Sequence, residues 1–304
     1  MRDSPPSWWN ARYPIRTPQQ FERDIDWLLR IAPPVSLQML LDWKNGKAEK
    51  PKGWFLSFDD GYRELADVVA PILSRKGVPA TFFLCTSLLD HKNIFFEDLA
   101  GLIALELKAA TSGKRERALQ ELRHSRHTID SLLQAPTPKN ELLRCLANVL
   151  EIDVNAWMMS EQPYLTSDHV RHLLDSGFAV GAHSVNHPLF CQIPEDEAMA
   201  QCCQSIEQVT RQFELPYRVF AFPYGEFGLQ KTFLETLINK SNADLMFGTR
   251  GVVKDELEPF LIQRMLAEHP ILSLREILHS QLNLQLQRRF TNRDCVRRRP
   301  ENEL

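Results

Sequence analysis

Apolar residues along this chain follow two alternating spacings, which predict strands and helices in turn. Five short, continuous apolar runs are typical of buried strands, and they lie at 54–58, 80–85, 178–182, 219–222 and 245–248. Between these runs, apolar residues recur every three or four positions, as on the buried face of a helix, and Gly77 and Gly177 follow such stretches as typical C-terminal stops. Strands that alternate with helices favour a parallel sheet, so the pattern predicts an α/β fold.

The same pattern divides the chain into a main body and three additions. Residues 1–50 contain two short helical stretches, which form a lead-in that we expect to pack on the main body at 51–287. Consecutive helical patterns at about 96–164 predict a helical insertion, which either rims a cleft and shapes specificity or has a structural or dimerising role. Residues 288–304 form an arginine-rich tail, which we expect to be a solvated end, with contact to an anionic partner as the alternative.

Composition and charge limit the class of protein. Hydrophobic residues make up 43% and charged residues 25% of the 304 positions, a balance typical of a folded globular protein. The formal net charge of −3 argues against nucleic-acid binding, and no apolar run is long enough for an integral membrane segment. Six cysteines without a CxxC pair are typical of reduced thiols. Because the N-terminus has no apolar leader, a cytoplasmic location is the default expectation, and the sequence leaves the oligomeric state open.

Polar residues with catalytic potential follow three of the predicted strands. Asp59 and Asp60 follow the first strand, His183 and His187 follow the third, and a turn containing Tyr224 follows the fourth. The carboxyl ends of parallel strands meet at one edge, where active sites form. Taken alone, the Asp-Gly pair could be only a common turn, and the two histidines could be only surface residues. Together, a carboxylate and two imidazoles are a metal-ligand set that leaves positions open for water and substrate.

Three motifs in this order resemble the polysaccharide deacetylase family, the carbohydrate esterases of family four. They are FDDG at 58–61, HSVNH at 183–187 and FPYG at 222–225, and the similarity extends over most of the chain. The resemblance implies a distorted (β/α)7 barrel. It also implies hydrolysis of an N-acetyl, or alternatively O-acetyl, group on a sugar of a polysaccharide or glycoconjugate precursor. The expected partner is therefore an acetylated glycan or sugar conjugate, such as a lipid-linked or nucleotide-linked intermediate.

The resemblance also implies roles for individual residues. Asp60, His183 and His187 are expected to hold a divalent metal, most simply zinc, although cobalt, nickel or manganese suit the same ligands. The metal would polarise the acetyl carbonyl and lower the pKa of water. Asp59 is expected to be the general base, and the backbone N–H of Tyr224 is expected to stabilise the oxyanion together with the metal.

Two departures from the family pattern leave roles to be filled. Many members carry an arginine that orients the base two residues before the proline of the third motif, where this chain has Ala221. Arg264 is the candidate that hydrogen-bonds Asp59 instead, with an ordinary surface or ion-pair arginine as the alternative. The family's last motif usually supplies a general acid from a Leu-x-His string, and no such string occurs near the end of the barrel. His269 is the candidate replacement, unless it is a bystander and Asp59 or another residue returns the proton.

Other functions fit parts of the pattern. Glycoside hydrolysis also uses two carboxylates, but these flank one bond about 5–9.5 Å apart, whereas adjacent residues in an extended segment point to opposite sides. That function would also leave the histidines unexplained. An amidohydrolase of a small N-acyl compound and an inactive barrel that binds a carbohydrate or a partner remain as alternatives to a glycan deacetylase.

Overall fold

The computed structural model describes residues 7–10, 16–133, 140–269, 272–291 and 293–298. Within these ranges there are ten short strands: β1 Pro34–Val35, β2 Trp54–Phe55, β3 Ser57–Phe58, β4 Thr81–Leu84, β5 Ala179–Ala182, β6 Val219–Ala221, β7 Leu245–Gly248, β8 Lys254–Asp255, β9 Leu261–Gln263 and β10 Cys295–Val296. The α-helices of the same ranges are α1 Ser7–Asn10, α2 Pro18–Ile31, α3 Leu37–Lys44, α4 Ala70–Lys76, α5 Phe96–Ala109, α6 Ser112–His124, α7 Ile129–Leu133, α8 Asn140–Val149, α9 Val154–Glu161, α10 Ser167–Asp175, α11 Glu195–Gln212, α12 Lys231–Ser241 and α13 Leu274–Phe290. A π-helical turn at Leu65–Val69 leads directly into α4.

Six parallel strands form the main sheet in the order β3-β4-β5-β6-β7-β9. Helices surround this curled sheet, so the α/β prediction and its barrel-like character are confirmed. The described part of the chain forms a half-barrel of six strands, rather than a closed ring of the seven that the resemblance implied. All the active-site motifs identified in the sequence lie at the carboxyl ends of strands in this sheet.

The first predicted strand, at 54–58, is two strands in the structure. Trp54 and Phe55 pair with β1, whereas Ser57 and Phe58 pair with β4, so the chain changes partner at Leu56. Gly53 allows the close approach of β2 to the lead-in, because a Cβ at this position would lie 2.2 Å from the backbone carbonyl oxygen of Pro33. The prediction of one uninterrupted strand is therefore wrong, although the end of the run still delivers its aspartates to the edge of the main sheet.

Alternate residues of the central strands bury on opposite faces of the sheet. On β4, Phe82 packs in a cluster with residues of α2, α4 and α10, whereas Phe83 packs in a second cluster with residues of α3. Both phenylalanines are fully buried. A parallel sheet covered on both faces needs such continuous apolar strands. The lead-in helices α2 and α3 thus complete the core, one on each face.

The predicted helical insertion has its own apolar core. Helices α5 to α9 lie between β4 and β5, and their buried residues form a cluster separate from the sheet clusters. Tyr62 and Tyr164 join this cluster to the sheet loops, because they belong to it and also form an antiparallel bridge with each other. The insertion is therefore attached beside the loop that carries the two aspartates.

The arginine-rich tail is more ordered than the sequence suggests. Helix α13 extends to Phe290, and β10 pairs in parallel with β8. The side chain of Arg298 is only 3% exposed and donates to both carboxylate oxygens of Asp255 at 2.6 and 2.9 Å. The expectation of a solvated end is therefore wrong for Arg298, whereas Arg293 and Arg297 are exposed, and residues 292 and 299–304 lie outside the described ranges. No helix of the described ranges is both long and apolar enough to cross a membrane.

Candidate active site

The loops that follow β3, β5 and β6 contain backbone conformations that side chains rarely adopt. Asp60, Ser184, His187 and Tyr224 all have φ between 57° and 73°, in the left-handed region. Such conformations cost free energy and persist where the surroundings hold them. One of these supports is the bond from the backbone N–H of His187 to Ser184 Oγ at 2.9 Å. The strained positions coincide with the polar residues that the sequence singled out.

Asp60, His183 and His187 converge on one point. Asp60 Oδ1 lies 3.5 Å from His183 Nε2 and 3.2 Å from His187 Nε2. One ligand atom from each of the three residues lies within 4.8 Å of the others, although the residues come from loops more than 120 positions apart in sequence. Both imidazoles are buried, and the carboxylate is half-buried. This geometry brings together the three residues that the resemblance named as metal ligands.

The protonation of His183 suits a metal ligand. Its Nδ1 lies 2.8 Å from the carbonyl oxygen of Ala221, and a carbonyl oxygen can only accept, so Nδ1 carries the proton and Nε2 presents its lone pair to Asp60 and His187. Burial lowers the pKa of His183 and favours the neutral ring, despite the nearby carboxylate of Asp59. A neutral imidazole oriented by a backbone carbonyl is the usual arrangement around a bound metal.

The donor set fits a divalent cation. One carboxylate oxygen and two imidazole nitrogens make three protein ligands, and catalytic zinc sites use three such ligands with a further position for water or substrate. Cobalt, nickel and manganese accept the same donors. The chain therefore offers a site for a divalent metal, with the choice among these ions left to measurement.

Asp59 is held by Arg264, as the sequence analysis proposed. Arg264 Nη1 donates to Asp59 Oδ1 at 2.8 Å, and Nη2 donates to Oδ2 at 2.9 Å. Nη1 also donates to Ser57 Oγ at 2.7 Å. The arginine side chain is only 13% exposed, so it is not an ordinary surface arginine, and it forms the ion pair that was the other part of that alternative. Such a two-point bond fixes the plane of the carboxylate as well as its position.

The charge around Asp59 keeps its carboxylate ionised. Burial raises the pKa of Asp59, but the charge and hydrogen bonds of Arg264 outweigh burial and hold the pKa below its usual value. His183 Nε2 lies 3.9 Å from Asp59 Oδ2, which places the carboxylate next to the ligand cluster. Asp59 is therefore an available proton acceptor beside the candidate metal site.

Tyr224 packs directly against the ligand cluster. Its ring centroid lies 4.6 Å from that of His187. The carbonyl oxygen of Tyr224 accepts from Thr249 Oγ1 at 2.8 Å, and its hydroxyl donates to Glu97 Oε1 at 2.5 Å. The next residue must be glycine, because a Cβ at Gly225 would lie 2.3 Å from Thr249 Oγ1. The role of the Tyr224 N–H as an oxyanion donor stays a prediction.

A buried ion network holds the loop of Tyr224 in place. Glu226 is fully buried, and its Oε1 accepts from Arg250 Nε at 3.0 Å and from Gln263 Nε2 at 2.9 Å. Arg298 of the C-terminal segment approaches the same oxygen at 3.4 Å. Gln263 is the last residue of β9 and precedes Arg264, so the network ties together the loops that supply Tyr224 and Arg264.

His269 lies in the loop that precedes α13. It is exposed, and its Nδ1 accepts from the backbone N–H of Leu272 at 3.0 Å. This bond joins two positions of the same loop, and the cluster of candidate ligands consists of Asp60, His183 and His187. The general-acid role of His269 stays a prediction.

Several residues that shape the site were not singled out from the sequence. Ser57 had a usable signal, because it lies two positions before Asp59 in an extended segment and so shares its face. Phe95, whose ring centroid lies 5.0 Å from that of His187, and Glu97 had none, because they reach the site through the tertiary packing of the insertion. The sequence patterns also did not predict strand β9. Arg264 directly follows this strand of the main sheet.

Comparisons with known proteins give a family and a fold for this chain. The family model for polysaccharide deacetylase matches residues 46–239. The Streptococcus pyogenes deacetylase PplD, solved in complex with acetate, aligns with a TM-score of 0.58 at 16% identity and covers 91% of this chain and 93% of its own. IcaB from Ammonifex degensii aligns with a TM-score of 0.52 at 15% identity, covering 84% of this chain and 88% of its own.

A third solved structure is similar in the same way. The de-N-acetylase from Aggregatibacter actinomycetemcomitans aligns with a TM-score of 0.52 at 16% identity and covers 86% of this chain and 89% of its own. At these identities the structural neighbours establish the fold alone, and no curated protein matches the sequence. Because the family model spans more than half of the sequence and includes all three motifs, the chain belongs to the polysaccharide deacetylase family.

Proposed function

We propose that this protein is a metal-dependent deacetylase that hydrolyses an N-acetyl group on a sugar of a polysaccharide or glycoconjugate precursor. The observation that carries the proposal is the meeting of two units at one edge of the sheet. One unit is the ligand cluster of Asp60, His183 and His187, and the other is the ion pair of Asp59 with Arg264. A metal site with an ionised carboxylate beside it can supply the Lewis acid and the general base for hydrolysis of an amide.

Asp60, His183 and His187 would hold the divalent ion. When bound, this ion supplies a Lewis acid that polarises the acetyl carbonyl and makes water more acidic. The protein holds the three ligands in a fixed geometry. The ring of His183 is oriented by its hydrogen bond to the Ala221 carbonyl. Zinc is our first assignment because three such ligands with an open position are typical of catalytic zinc.

Asp59 acts as the general base. One proton passes from the attacking water to a carboxylate oxygen of Asp59 as the new carbon–oxygen bond forms. The two hydrogen bonds from Arg264 keep the carboxylate ionised and in one orientation before this step. General bases of this kind contribute about 10²- to 10⁴-fold to the rate. Negative charge develops on the former carbonyl oxygen, and the backbone N–H of Tyr224 is our candidate donor to it.

The leaving amine requires a proton when the carbon–nitrogen bond breaks. We assign this step to Asp59, which returns the proton it took from water, because its carboxylate lies beside the ligand cluster. His269 is the alternative, and His269→Ala distinguishes the two. Loss of turnover by less than about threefold supports Asp59, whereas a loss of the size of general-acid catalysis, about 10²-fold or more, supports His269.

Acetate release from a panel of substrates tests the proposal. The panel contains N-acetylglucosamine oligomers, O-acetylated sugars and small N-acyl amides, each incubated with the zinc-loaded protein. We expect release from an N-acetylated sugar, and an Asp59→Asn variant should lose at least about 10²-fold in kcat. Asp168→Asn, at an exposed position, is the matched control. Release from small N-acyl amides alone, or no release from any of the compounds, would overturn the proposal.

A further inference from the structure

The beginning of the insertion reaches the third motif through one hydrogen bond. Glu97, the second residue of α5, accepts the hydroxyl proton of Tyr224 at 2.5 Å, although the two residues are 127 positions apart. Both side chains are half-buried. A hydrogen bond to a carboxylate is stronger than one between neutral groups, and shielding from water strengthens it further. The insertion therefore has a direct hold on the loop that carries Tyr224.

Glu97 is presented from a rigid base. The neighbouring Asp98 is fully buried and accepts from the hydroxyl groups of Tyr62 at 2.9 Å and Tyr164 at 2.7 Å. The Tyr164 oxygen in turn accepts from the backbone N–H of Phe95 at 2.7 Å. These bonds fix the first turn of α5 against the loop that follows the two aspartates, because Tyr62 belongs to that loop. The backbone that carries Glu97 is thus held by a buried network next to it.

Tyr224 is held at both ends. Its carbonyl accepts from Thr249, its hydroxyl donates to Glu97, and its ring lies between these anchors against His187. Its backbone has φ of 57°, a conformation that a residue with a side chain keeps only where its surroundings impose it. The direction of the backbone N–H of Tyr224 depends on this conformation. Removing one anchor therefore alters the donor that we assign to the oxyanion.

We propose that Glu97 is a positioning residue that sets the Tyr224 loop for catalysis, so the helical insertion acts on turnover through this pair. The inference rests on the proposed deacetylase function. Glu97 acts through its hydrogen bond to Tyr224, so its removal should lower kcat while metal binding is retained. Small displacements of a catalytic group can cost up to about 10²-fold, and we expect a loss of about 10- to 100-fold in kcat for Glu97→Ala.

A double-mutant cycle tests the pair by activity. Glu97→Ala and Tyr224→Phe should each lower kcat to a similar extent, and the double variant should be no slower than the slower single variant. Glu97→Gln should restore most of the activity, because its amide oxygen still accepts the hydroxyl proton. Glu106→Ala, at an exposed position of the same helix, is the control and should match the wild type. Additive losses, or a Gln variant as slow as the Ala variant, would overturn the inference.

A spectroscopic measurement tests the pair without turnover. The chain has five tyrosines, so incorporation of 3-fluorotyrosine gives five fluorine resonances, and Tyr224→Phe identifies the resonance of Tyr224 by its loss. Glu97→Ala should shift this resonance, and Glu106→Ala should not. An unmoved resonance would overturn the positioning role. If the metal-loaded wild type releases no acetate while the resonance shifts as expected, the deacetylase function fails but the contact between Glu97 and Tyr224 stands.

Discussion

Arg264 forms two parallel hydrogen bonds with Asp59 across a sequence separation of 205 residues. The family resemblance places an arginine near the third motif, but this chain has Ala221 there, and the guanidinium comes instead from the end of β9. The backbone N–H of Arg264 donates to the Gly248 carbonyl at 3.0 Å, which fixes the starting point of its side chain. A guanidinium therefore lies beside Asp59 although position 221 of this chain is an alanine.

Removing Arg264 should slow the reaction and change its pH dependence. Arg264 lowers the pKa of Asp59, and only the ionised carboxylate accepts a proton, so activity is lost as the pH falls through this pKa. Arg264→Ala should therefore shift the acid limb of kcat/KM to higher pH and lower kcat by about 10²-fold, through loss of orientation. Arg264→Lys should keep part of the lowering of the Asp59 pKa, because the positive charge remains, but it should lose the two-point contact.

The control for this experiment is Arg171→Ala, which removes an exposed arginine from a surface ion pair. It should leave both the rate and the acid limb unchanged. An Arg264→Ala variant with full turnover and an unmoved acid limb would contradict the role assigned to the arginine.

The C-terminal segment should contribute strongly to stability through Arg298. This arginine is paired with Asp255 and Glu226, both fully buried in their side chains. Removing one member of a buried ion network leaves an uncompensated charge and typically costs about 3–5 kcal/mol. We expect Arg298→Ala to lower the free energy of unfolding in urea by about this amount. Arg297→Ala, one residue away and exposed, should change it by less than about 0.5 kcal/mol. Equal effects of the two substitutions would show that the tail does not pack on the sheet.

Asp90 should make stability depend on acid pH. Its carboxylate accepts from the backbone N–H of Ser167 at 2.5 Å and from the Ser167 hydroxyl at 2.7 Å, across the start of α10. Burial raises the pKa of Asp90, but these hydrogen bonds outweigh it and hold the pKa below its usual value. A lowered folded-state pKa gives stabilisation that is present above the usual aspartate range and lost as the pH falls through the folded value.

Thermal unfolding between pH 7 and pH 3 measures this effect. The midpoint of the wild type should fall more steeply with acid than that of Asp90→Asn, which cannot titrate at this position. Asp130→Asn, at an exposed position of the insertion, serves as the control and should follow the wild type. Parallel curves for the wild type and Asp90→Asn would contradict the prediction.

The residues of the ligand cluster could be predicted from the sequence because their types suit a metal and their positions follow predicted strands. Asp60 and His183 each follow an apolar run, and parallel strands bring their carboxyl ends together whatever lies between them. The first two motifs each follow a strand of one parallel sheet, which is enough to predict that Asp60, His183 and His187 lie close together, and the distances come from the structure. The prediction of a single strand at 54–58 is wrong at Leu56, because tertiary contacts, not apolar spacing, decide that the two halves pair with different neighbours.

Residues that act from a distance could be predicted only in part. Arg264 was inferred from the vacancy at Ala221, yet the strand that carries it has three residues and gives no periodic signal. Glu97 and Arg298 appear as ordinary surface charges in the sequence, because charged residues seldom bury. Their partners lie 127 and 72 positions away, so only the folded chain reveals that one holds the Tyr224 loop and the other reaches Glu226.

The central claim is that one divalent metal binds between the three motif loops of this deacetylase-family chain. Elemental analysis of untagged protein, loaded with zinc and freed of excess, tests this claim most directly. The wild type should retain about one equivalent of metal, and the His183→Ala, His187→Ala double variant should retain none while keeping its fold by circular dichroism. A wild type that retains no zinc, and takes up no cobalt, nickel or manganese when these are supplied, would contradict the account.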